Sequence, residues 1–107
     1  MALIRKDQQT VIESPNLKLT VIAPKGLVDG TICINLGEAR GGKFIDSHVD
    51  DGYSLVHMLD GECVVEHEGR KYLHRKGDTL YYDARYRHSV TAKGPVRFVS
   101  VFFKGRQ

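Results

Sequence analysis

Short segments of alternating apolar and polar residues, separated by glycine-containing turns, make up most of this 107-residue chain. A period of two residues is typical of half-buried β-strands, and no window of about 11 residues carries the apolar stripe of an amphipathic helix. The segments are residues 17–23, 31–36, 53–59, 62–68, 70–75, 79–82, 88–92 and 96–103. About eight strands at this spacing predict an all-β fold, either an antiparallel sandwich or a barrel.

Two of the turns have the composition of tight hairpin turns. Asp60-Gly61 and Glu68-Gly69 each separate two alternating segments. Glycine readily adopts the positive φ angle that a two-residue turn needs. We therefore expect each pair to join two strands that are hydrogen-bonded neighbours.

The last segment is apolar on both of its faces. One face carries Val96, Phe98, Ser100 and Phe102, and the other carries Val99, Val101 and Phe103. A strand of this kind needs cover on both sides, from a second sheet or from a second subunit. Small sheets also expose edge strands that must be paired or covered. We therefore expect a homodimer, to which residues 10–23 could also contribute.

The length of the chain, with a mass of 12.0 kDa, predicts one domain over residues 1–107 with a core of its own. No apolar run approaches the roughly 18 residues of a membrane span, and the start becomes charged too early for a secretory signal. We expect a cytoplasmic protein with no membrane partner. Cys33 and Cys63 lie 30 residues apart, which is no metal or redox spacing, so both are expected to be buried free thiols.

Charge is unevenly distributed along the chain. Residues 1–73 hold 8 Lys and Arg against 11 Asp and Glu, whereas residues 74–107 hold 8 against 2. A basic end is one signature of nucleic-acid binding. Here the basic residues are spaced mostly one at a time along apparent strands, without a long basic run. No nucleic-acid partner is therefore expected.

Two motifs narrow the fold further. Gly42, His48, Asp50, Ser54 and Gly61 follow the spacing G-x5-H-x-D-x3-S-x6-G. This resembles the first motif of the cupin superfamily, G-x5-H-x-H-x3-E-x6-G. The spacing is the same throughout, and the chemistry differs at the second and third of the four metal-ligand positions.

The second motif covers residues 77–92. Gly77, Asp83, Arg85 and His88 keep the spacing of the second cupin motif, G-x5-P-x-G-x2-H-x3-N, with Ala92 at its closing position. Asp and Arg thus replace the family's Pro and Gly. Residues 58–62 and 77–83 also resemble the single-cupin sensor domains of bacterial helix-turn-helix regulators. The resemblance implies a small RmlC-like cupin, a single antiparallel β-barrel or double-stranded jelly roll.

The resemblance places possible metal ligands at His48, Asp50, Ser54 and His88. A serine hydroxyl is a poor ligand at neutral pH, so His48, Asp50 and His88 are the expected set. Two imidazoles and one carboxylate suit a single divalent ion, Fe, Mn or Zn. Residues 48 and 50 would share one face of a strand. The alternative is a cupin that has lost its metal and keeps a polar cavity, without another cofactor.

Further polar and aromatic residues accompany these positions. We expect Tyr53, Ser54, Tyr82, Arg85 and Tyr86 to bind a small-molecule ligand, because tyrosine offers a flat wall with a hydroxyl and arginine binds carboxylate or phosphate. An arginine at the barrel mouth would indicate an anionic ligand. The alternative is that these arginines are simply solvated in a loop.

The remaining histidines have less distinctive positions. From strand alternation, His57 is expected to point away from the cavity. His67 is expected to be packed and hydrogen-bonded, and His74 to be solvated beside a turn.

The leading functional hypothesis is a stand-alone cupin that binds a small polar or anionic ligand, as a sensor or carrier. The alternative is a small metal-dependent enzyme, an oxygenase, isomerase or lyase, that acts on a carboxylate or a sugar. The chain has no glycine-rich phosphate loop and no G-x-S-x-G nucleophile motif.

Overall fold

The computed structural model describes residues 3–23 and 32–104. These ranges contain one 3₁₀ turn, Lys6–Gln8, no α-helix, and ten strands. The strands are β1 Thr10–Ser14, β2 Leu17–Ala23, β3 Ile32–Ala39, β4 Gly42–His48, β5 Tyr53–Asp60, β6 Glu62–His67, β7 Arg70–Arg75, β8 Thr79–Asp83, β9 His88–Ala92 and β10 Val96–Phe103. All eight predicted strands are present, although Thr31 lies outside the described residues.

The strands form two antiparallel sheets that pack face to face. The large sheet has the order β1-β2-β3-β10-β5-β8, and the small sheet has the order β4-β9-β6-β7. The all-β jelly-roll prediction is confirmed. In the described part of the chain no strand ladder joins the two sheets, so the sandwich is not closed into a barrel.

Two strands have no counterpart among the predicted segments. All five residues of β1 are exposed, including Val11 and Ile12, so this edge strand lacks the polar and apolar alternation of a half-buried strand. In β4, Lys43, Asp46 and Ser47 interrupt the apolar pattern in both parities. Pairing with β2 and with β9, rather than local alternation, defines these strands.

The two expected hairpins have different outcomes. Glu68 and Gly69 both have positive φ angles, 51° and 79°, and they connect β6 and β7, which are paired from end to end. Asp60-Gly61 instead connects the large sheet to the small sheet, so the hairpin expected there is wrong. A Cβ at Gly61 would lie 2.2 Å from the carbonyl oxygen of Pro95, so glycine is required by a close backbone approach as well as by its φ of 80°.

The core lies between the two sheets. Met58, Cys63 and Val96 are its most buried large side chains. Phe98 stacks on Phe44 of the small sheet with 5.8 Å between ring centroids. Gly37, the partner of Phe98 on β3, leaves the space that this ring occupies. No helix in the described residues is long and apolar enough to span a membrane.

The opposite face of the large sheet is also apolar. Alternation away from the core-facing Phe98 places Val99, Val101 and Phe103 of β10 on this side, with partners on β3 and β5. We call this surface the outer apolar face; it consists of Ile32, Ile34, Leu36, Tyr53, Leu55, Tyr81, Val99, Val101 and Phe103. These residues are half-buried except for the exposed Tyr81. The two apolar faces expected for β10 are therefore present, and the small sheet covers one of them.

Candidate functional site

A cavity of about 270 Å³ opens at one end of the sandwich, where β4, β8 and β10 end and β5 and β9 begin. Its apolar walls are Leu17, Leu19, Ile45, Val56, Phe98 and Phe102. Its polar groups come from Cys33, Asn35, Asp50, Ser54, Tyr82, His88 and Ser100. A cavity that combines apolar walls with convergent polar groups is typical of a small-molecule site.

A larger cleft of about 560 Å³ lies at the other end of the sheets, between the β1–β2 turn and the start of β10. Four of its charged residues alternate in sign along the cross-strand series Glu13, Lys18, Glu38 and Arg97. Arg97 Nε lies 3.8 Å from Glu38 Oε1. This cleft lacks the converging histidine, tyrosine and carboxylate groups of the smaller cavity, which is therefore the candidate site.

His88 is held in a defined orientation. Its side chain is 2% exposed, and its Nδ1 lies 2.9 Å from the carbonyl oxygen of Tyr86. A carbonyl only accepts hydrogen bonds, so Nδ1 carries the hydrogen and, in the neutral ring, Nε2 carries a lone pair. That Nε2 lies 3.8 Å from Oδ2 of Asp50. In this tautomer Nε2 can coordinate a metal ion or accept a hydrogen bond from a ligand.

Asp50 reaches the cavity from a loop. Strand β4 ends at His48, so the expectation that residues 48 and 50 share a strand face is wrong. The chain leaves the small sheet here to enter the large one, and the backbone N–H of Asp50 donates to the carbonyl oxygen of Ala84 at 2.8 Å. The carboxylate is about half exposed and faces the buried imidazole of His88.

The backbone of His48 is the cross-strand partner of His88 between β4 and β9. Its side chain lies outside what the structure describes. Among the described side chains, no group of three His, Cys, Asp or Glu could hold a metal ion. The described part of the expected set is thus the pair of Asp50 and His88. Atoms bound to one ion at about 2.1 Å lie at most about 4.2 Å apart, so their separation is compatible with a shared ion.

Ser54 and Tyr82 form the opposite wall of the cavity. They are direct partners in the pairing of β5 with β8. Burial raises the pKa of the Tyr82 phenol, the hydrogen bond with Ser54 lowers it, and the charge of Asp50 raises it. The ring of Tyr82 also packs edge-on against His88 at 5.1 Å. Both residues therefore lie where a ligand in the cavity would contact them.

Tyr53 and Arg85 do not line this cavity, contrary to their expected position. Tyr53 belongs to the outer apolar face, as its parity opposite to Ser54 already indicates. Arg85 donates to Asp83 from Nε at 2.9 Å and from Nη2 at 2.7 Å, and to the hydroxyl of Tyr53 at 2.9 Å. This pairing raises the pKa of Arg85, and the hydrogen bonds from Arg85 lower the pKa of Asp83.

The other residues of this loop are also directed elsewhere. Tyr86 is 50% exposed and packs against His67, with 6.1 Å between ring centroids. Arg87 donates to the carbonyl and hydroxyl oxygens of Ser47, each at 3.3 Å. No lysine or arginine of the described chain lines the cavity. The basis for an anionic ligand bound by arginine is therefore lost, since Arg85 and Arg87 are instead hydrogen-bonded to Asp83, Tyr53 and Ser47.

The remaining histidines are structural. His74 is 3% exposed and its Nε2 donates to the carbonyl oxygen of Asp78 at 2.9 Å, so the expectation that it is solvated is wrong. His67 donates from Nε2 to the carbonyl oxygen of Asp83 at 2.8 Å and packs against Tyr82, as expected. His57, hydrogen-bonded to Thr79 at 2.8 Å, does not line the cavity.

Three cavity residues have no role in the sequence-based prediction. Cys33 and Asn35 lie on β3, where Sγ of Cys33 contacts Oδ1 of Asn35 at 3.6 Å, and Ser100 lies on β10. Ser100 interrupts the inner row of Val96, Phe98 and Phe102, and a polar residue in such a row is the signal that could have identified it. Cys63, by contrast, is a core thiol whose burial raises its pKa to about 11.

Comparison with known proteins identifies a family and several solved structures that this chain resembles. A sequence family described as a cupin domain matches residues 33–102. No curated protein shows a significant match. Among similar solved structures, KdgF from Halomonas sp. has 17% identity and a TM-score of 0.77, and the match covers 98% of this chain and 96% of that one.

Two other similar structures are longer proteins. Hydroxypropylphosphonic acid epoxidase from S. wedmorenis has 13% identity and a TM-score of 0.78, over 95% of this chain and 59% of that one. An HTH_3 family transcriptional regulator from Vibrio cholerae has 16% identity and a TM-score of 0.71, over 85% of this chain and 52% of that one. At these identities the likeness shows the fold alone.

Proposed function

Because the chain belongs to the cupin family, we propose that it is a binding module that takes up a small, uncharged polar ligand in the cavity beside Asp50 and His88. The observation that supports this proposal is the composition of that cavity. It combines an apolar wall with a carboxylate, an imidazole, a phenol, two hydroxyls and an amide, without a lysine or arginine among the described residues. Such a site suits a ligand that offers hydroxyl groups on an apolar frame, as a sugar does.

The groups are prepared for hydrogen bonding to such a ligand. Asp50 accepts, the Tyr82 and Ser54 hydroxyls donate and accept, and the fixed tautomer of His88 presents an acceptor at Nε2. The phenyl ring of Phe102 adds an apolar surface on the β10 side. Binding therefore depends on hydroxyl geometry rather than on ligand charge.

A thermal-shift screen of neutral sugars and polyols, with organic acids alongside, tests this proposal. A true ligand at about 100 times its dissociation constant stabilises the protein by about 2.7 kcal/mol. Tyr82→Phe should reduce the shift, whereas Tyr81→Phe, which removes a phenol on the outer apolar face, should not. A response to acids alone, or an equal loss in both variants, would contradict the proposal.

A divalent ion is the second component that we propose, held by His48, Asp50 and His88. The separation of His88 Nε2 from Asp50 Oδ2 and the hydrogen bond that fixes Nδ1 support Asp50 and His88 as two members of this donor set. When bound, such an ion supplies a Lewis acid that can bind a ligand oxygen. In the metal-free alternative, the same residues bind the ligand directly.

The alternative function is a small metal-dependent oxygenase, isomerase or lyase that acts on a carboxylate or sugar. The observation that favours it is the orientation of Nε2 of His88 toward Asp50, in a chain whose fold is shared with an epoxidase. Metal analysis of the purified protein, together with turnover assays on the compounds that shift its melting, separates the two. Stoichiometric metal with turnover favours the enzyme; ligand binding without turnover favours the binding module.

We also propose that two copies of the chain associate through the outer apolar face. Strands of up to eight residues at about 3.3 Å each, in four strands that each occupy a width of about 4.8 Å, give at most roughly 500 Å² per subunit. Two such faces bury at most about 1,000 Å², the lower limit of a specific interface. Tyr53, Tyr81 and Phe103 stack at 5.8–6.3 Å at one end of this face, and such aromatic clusters are enriched at interfaces.

Neither nucleic acid nor a membrane is part of the proposed function, which remains that of a cytoplasmic protein. Acidic groups oppose four of the eight basic residues in the last third of the chain. Arg75, Arg85, Arg97 and Lys104 lie within 4.0 Å of Glu62, Asp83, Glu38 and Asp51, respectively. This pairing supports a function without a nucleic-acid partner.

A further inference from the structure

The turn between β8 and β9 is closed by an ion pair between residues two positions apart. Asp83 Oδ1 accepts hydrogen bonds from the backbone N–H of Arg85 at 3.0 Å and from its Nε at 2.9 Å, and Oδ2 accepts from Nη2 at 2.7 Å. The guanidinium also lies 5.1 Å from the ring centroid of Tyr53 and donates to its hydroxyl. Arg85 is therefore fixed along its length.

The residue enclosed by this pair, Ala84, holds the loop that carries Asp50. Ala84 is 1% exposed, its N–H donates to the carbonyl oxygen of Gly52 at 2.9 Å, and its carbonyl accepts from the N–H of Asp50 at 2.8 Å. The β4–β5 loop is thus hydrogen-bonded on both sides of Asp51 to a single residue of the β8–β9 turn.

The same turn also orients His88. The carbonyl oxygen of Tyr86 accepts the hydrogen of His88 Nδ1, and the N–H of Tyr86 lies 3.4 Å from the carbonyl oxygen of Asp83. His67 donates to that oxygen at 2.8 Å from the side of β6. One short turn, centred on the ion pair, therefore controls the positions of Asp50 and His88.

We propose that Asp83 and Arg85 are positioning residues, whose ion pair sets the separation of Asp50 and His88 and thereby the affinity of the site; this rests on the proposed function of that site. Asp and Arg occupy the two positions where the sequence departs from the Pro-x-Gly of the second cupin motif. The ion pair restrains the turn by side-chain contacts where that motif would use the restricted backbone of proline.

If the ion pair served only to stabilise the whole fold, its loss would lower the urea midpoint of unfolding. The side chain of Arg85 is 55% exposed, and exposed ion pairs add little to global stability. Their loss can still open a loop locally, because loops exchange their amide hydrogens through local openings with low free energies. Local exchange and site affinity should therefore change while the urea midpoint of unfolding stays nearly constant.

The experiment compares the full-length wild type with Arg85→Ala and Asp83→Asn. The matched control is Arg97→Ala, which removes another exposed arginine, paired with Glu38 at the far end of the sheet. Amide hydrogen exchange is followed at Asp50 and Ala84, Zn²⁺ affinity by calorimetry, and stability by urea unfolding. We expect about tenfold weaker Zn²⁺ binding and faster exchange at both amides in the two test variants, and neither change in the control.

Each outcome bears on the proposal. Unchanged exchange in Arg85→Ala and Asp83→Asn overturns it, as does faster exchange with unchanged Zn²⁺ affinity. Equal effects in Arg97→Ala would show a general loss of stability and would also overturn it. If the wild type binds no Zn²⁺ but exchange still accelerates in the test variants, control of the loop by the ion pair is supported and the proposed metal site fails.

Discussion

Nε2 of His88 and Oδ2 of Asp50 lie 3.8 Å apart although the two residues belong to different segments of the chain. His88 begins a strand of the small sheet, and Asp50 lies in the loop that leaves that sheet. The crossing of the chain between sheets, fixed by the two hydrogen bonds of Ala84, brings them together. The candidate site is therefore a product of sheet packing and depends on the two loops at this end.

Substitutions can distinguish the residues that bind the metal from those that do not. Asp50→Ala and His88→Ala should each abolish binding of a divalent ion, because a buried ion needs anionic compensation and a fixed imidazole. Ser54→Ala should have little effect, and Ser54→Glu should tighten binding by adding a carboxylate. Metal content per subunit, measured across the four variants, checks these expectations. Full occupancy in Asp50→Ala would show that another residue is the third ligand.

The proposed dimer depends on the centre of the outer apolar face. Val101→Lys places a charge there and should shift the mass measured by light scattering from twice 12.0 kDa to 12.0 kDa. Thr91→Lys, at an exposed position of the small sheet, should leave the dimer intact. Circular dichroism verifies that both variants stay folded. A wild type that is monomeric at micromolar concentration would contradict the proposal.

Gly37 should be intolerant of a methyl group. A Cβ at this position would lie 2.1 Å from Cζ of Phe98, so Gly37→Ala forces the buried ring to move and should cost about 1–3 kcal/mol of unfolding free energy. Gly94→Ala is the matched control, since no atom beyond its chain neighbours lies within 4 Å of a Cβ there. Urea unfolding of both variants gives the comparison; equal losses would argue against the close contact at Phe98.

The buried thiol of Cys63 should make the folded protein less stable at alkaline pH. Burial raises the pKa of its thiol to about 11, above the roughly 8.5 of an unfolded chain. Its contribution is therefore fully present below pH 8.5 and is lost as the pH rises toward 11, because the unfolded state releases its proton first. Urea unfolding from pH 7 to 10.5 should show this decline in the wild type and a shallower one in Cys63→Ala. Parallel curves would exclude the thiol as its source.

Eight of the ten strands were predictable because the side chains on one face of each contact the core, which gives the sequence an alternating apolar and polar pattern. The sheet to which each strand belongs was not predictable. Asp60-Gly61 and Glu68-Gly69 have similar sequences, but the first connects the two sheets and the second closes the hairpin of β6 and β7. A turn motif specifies local φ angles, whereas the sheet that a strand joins depends on packing.

In the candidate site, too, some residues could be placed from the sequence and others could not. Ser54 and Tyr82 could be placed by spacing and parity, and they line the cavity. Arg85 could not, because a carboxylate two residues away competes for its guanidinium. Tyr53 was separable from Ser54 by parity alone. Asp50 lies in a loop because β4 ends at His48, and the irregular sequence of β4 does not reveal that end.

Backbone amide chemical shifts during titration with the strongest neutral sugar of the thermal-shift screen test the location of the ligand site most directly. The proposed function predicts perturbations concentrated at Ser54, Tyr82, His88 and Ser100, which surround the cavity. Perturbations concentrated instead at Lys18, Glu38 and Arg97, in the larger cleft at the other end of the sheets, would contradict it.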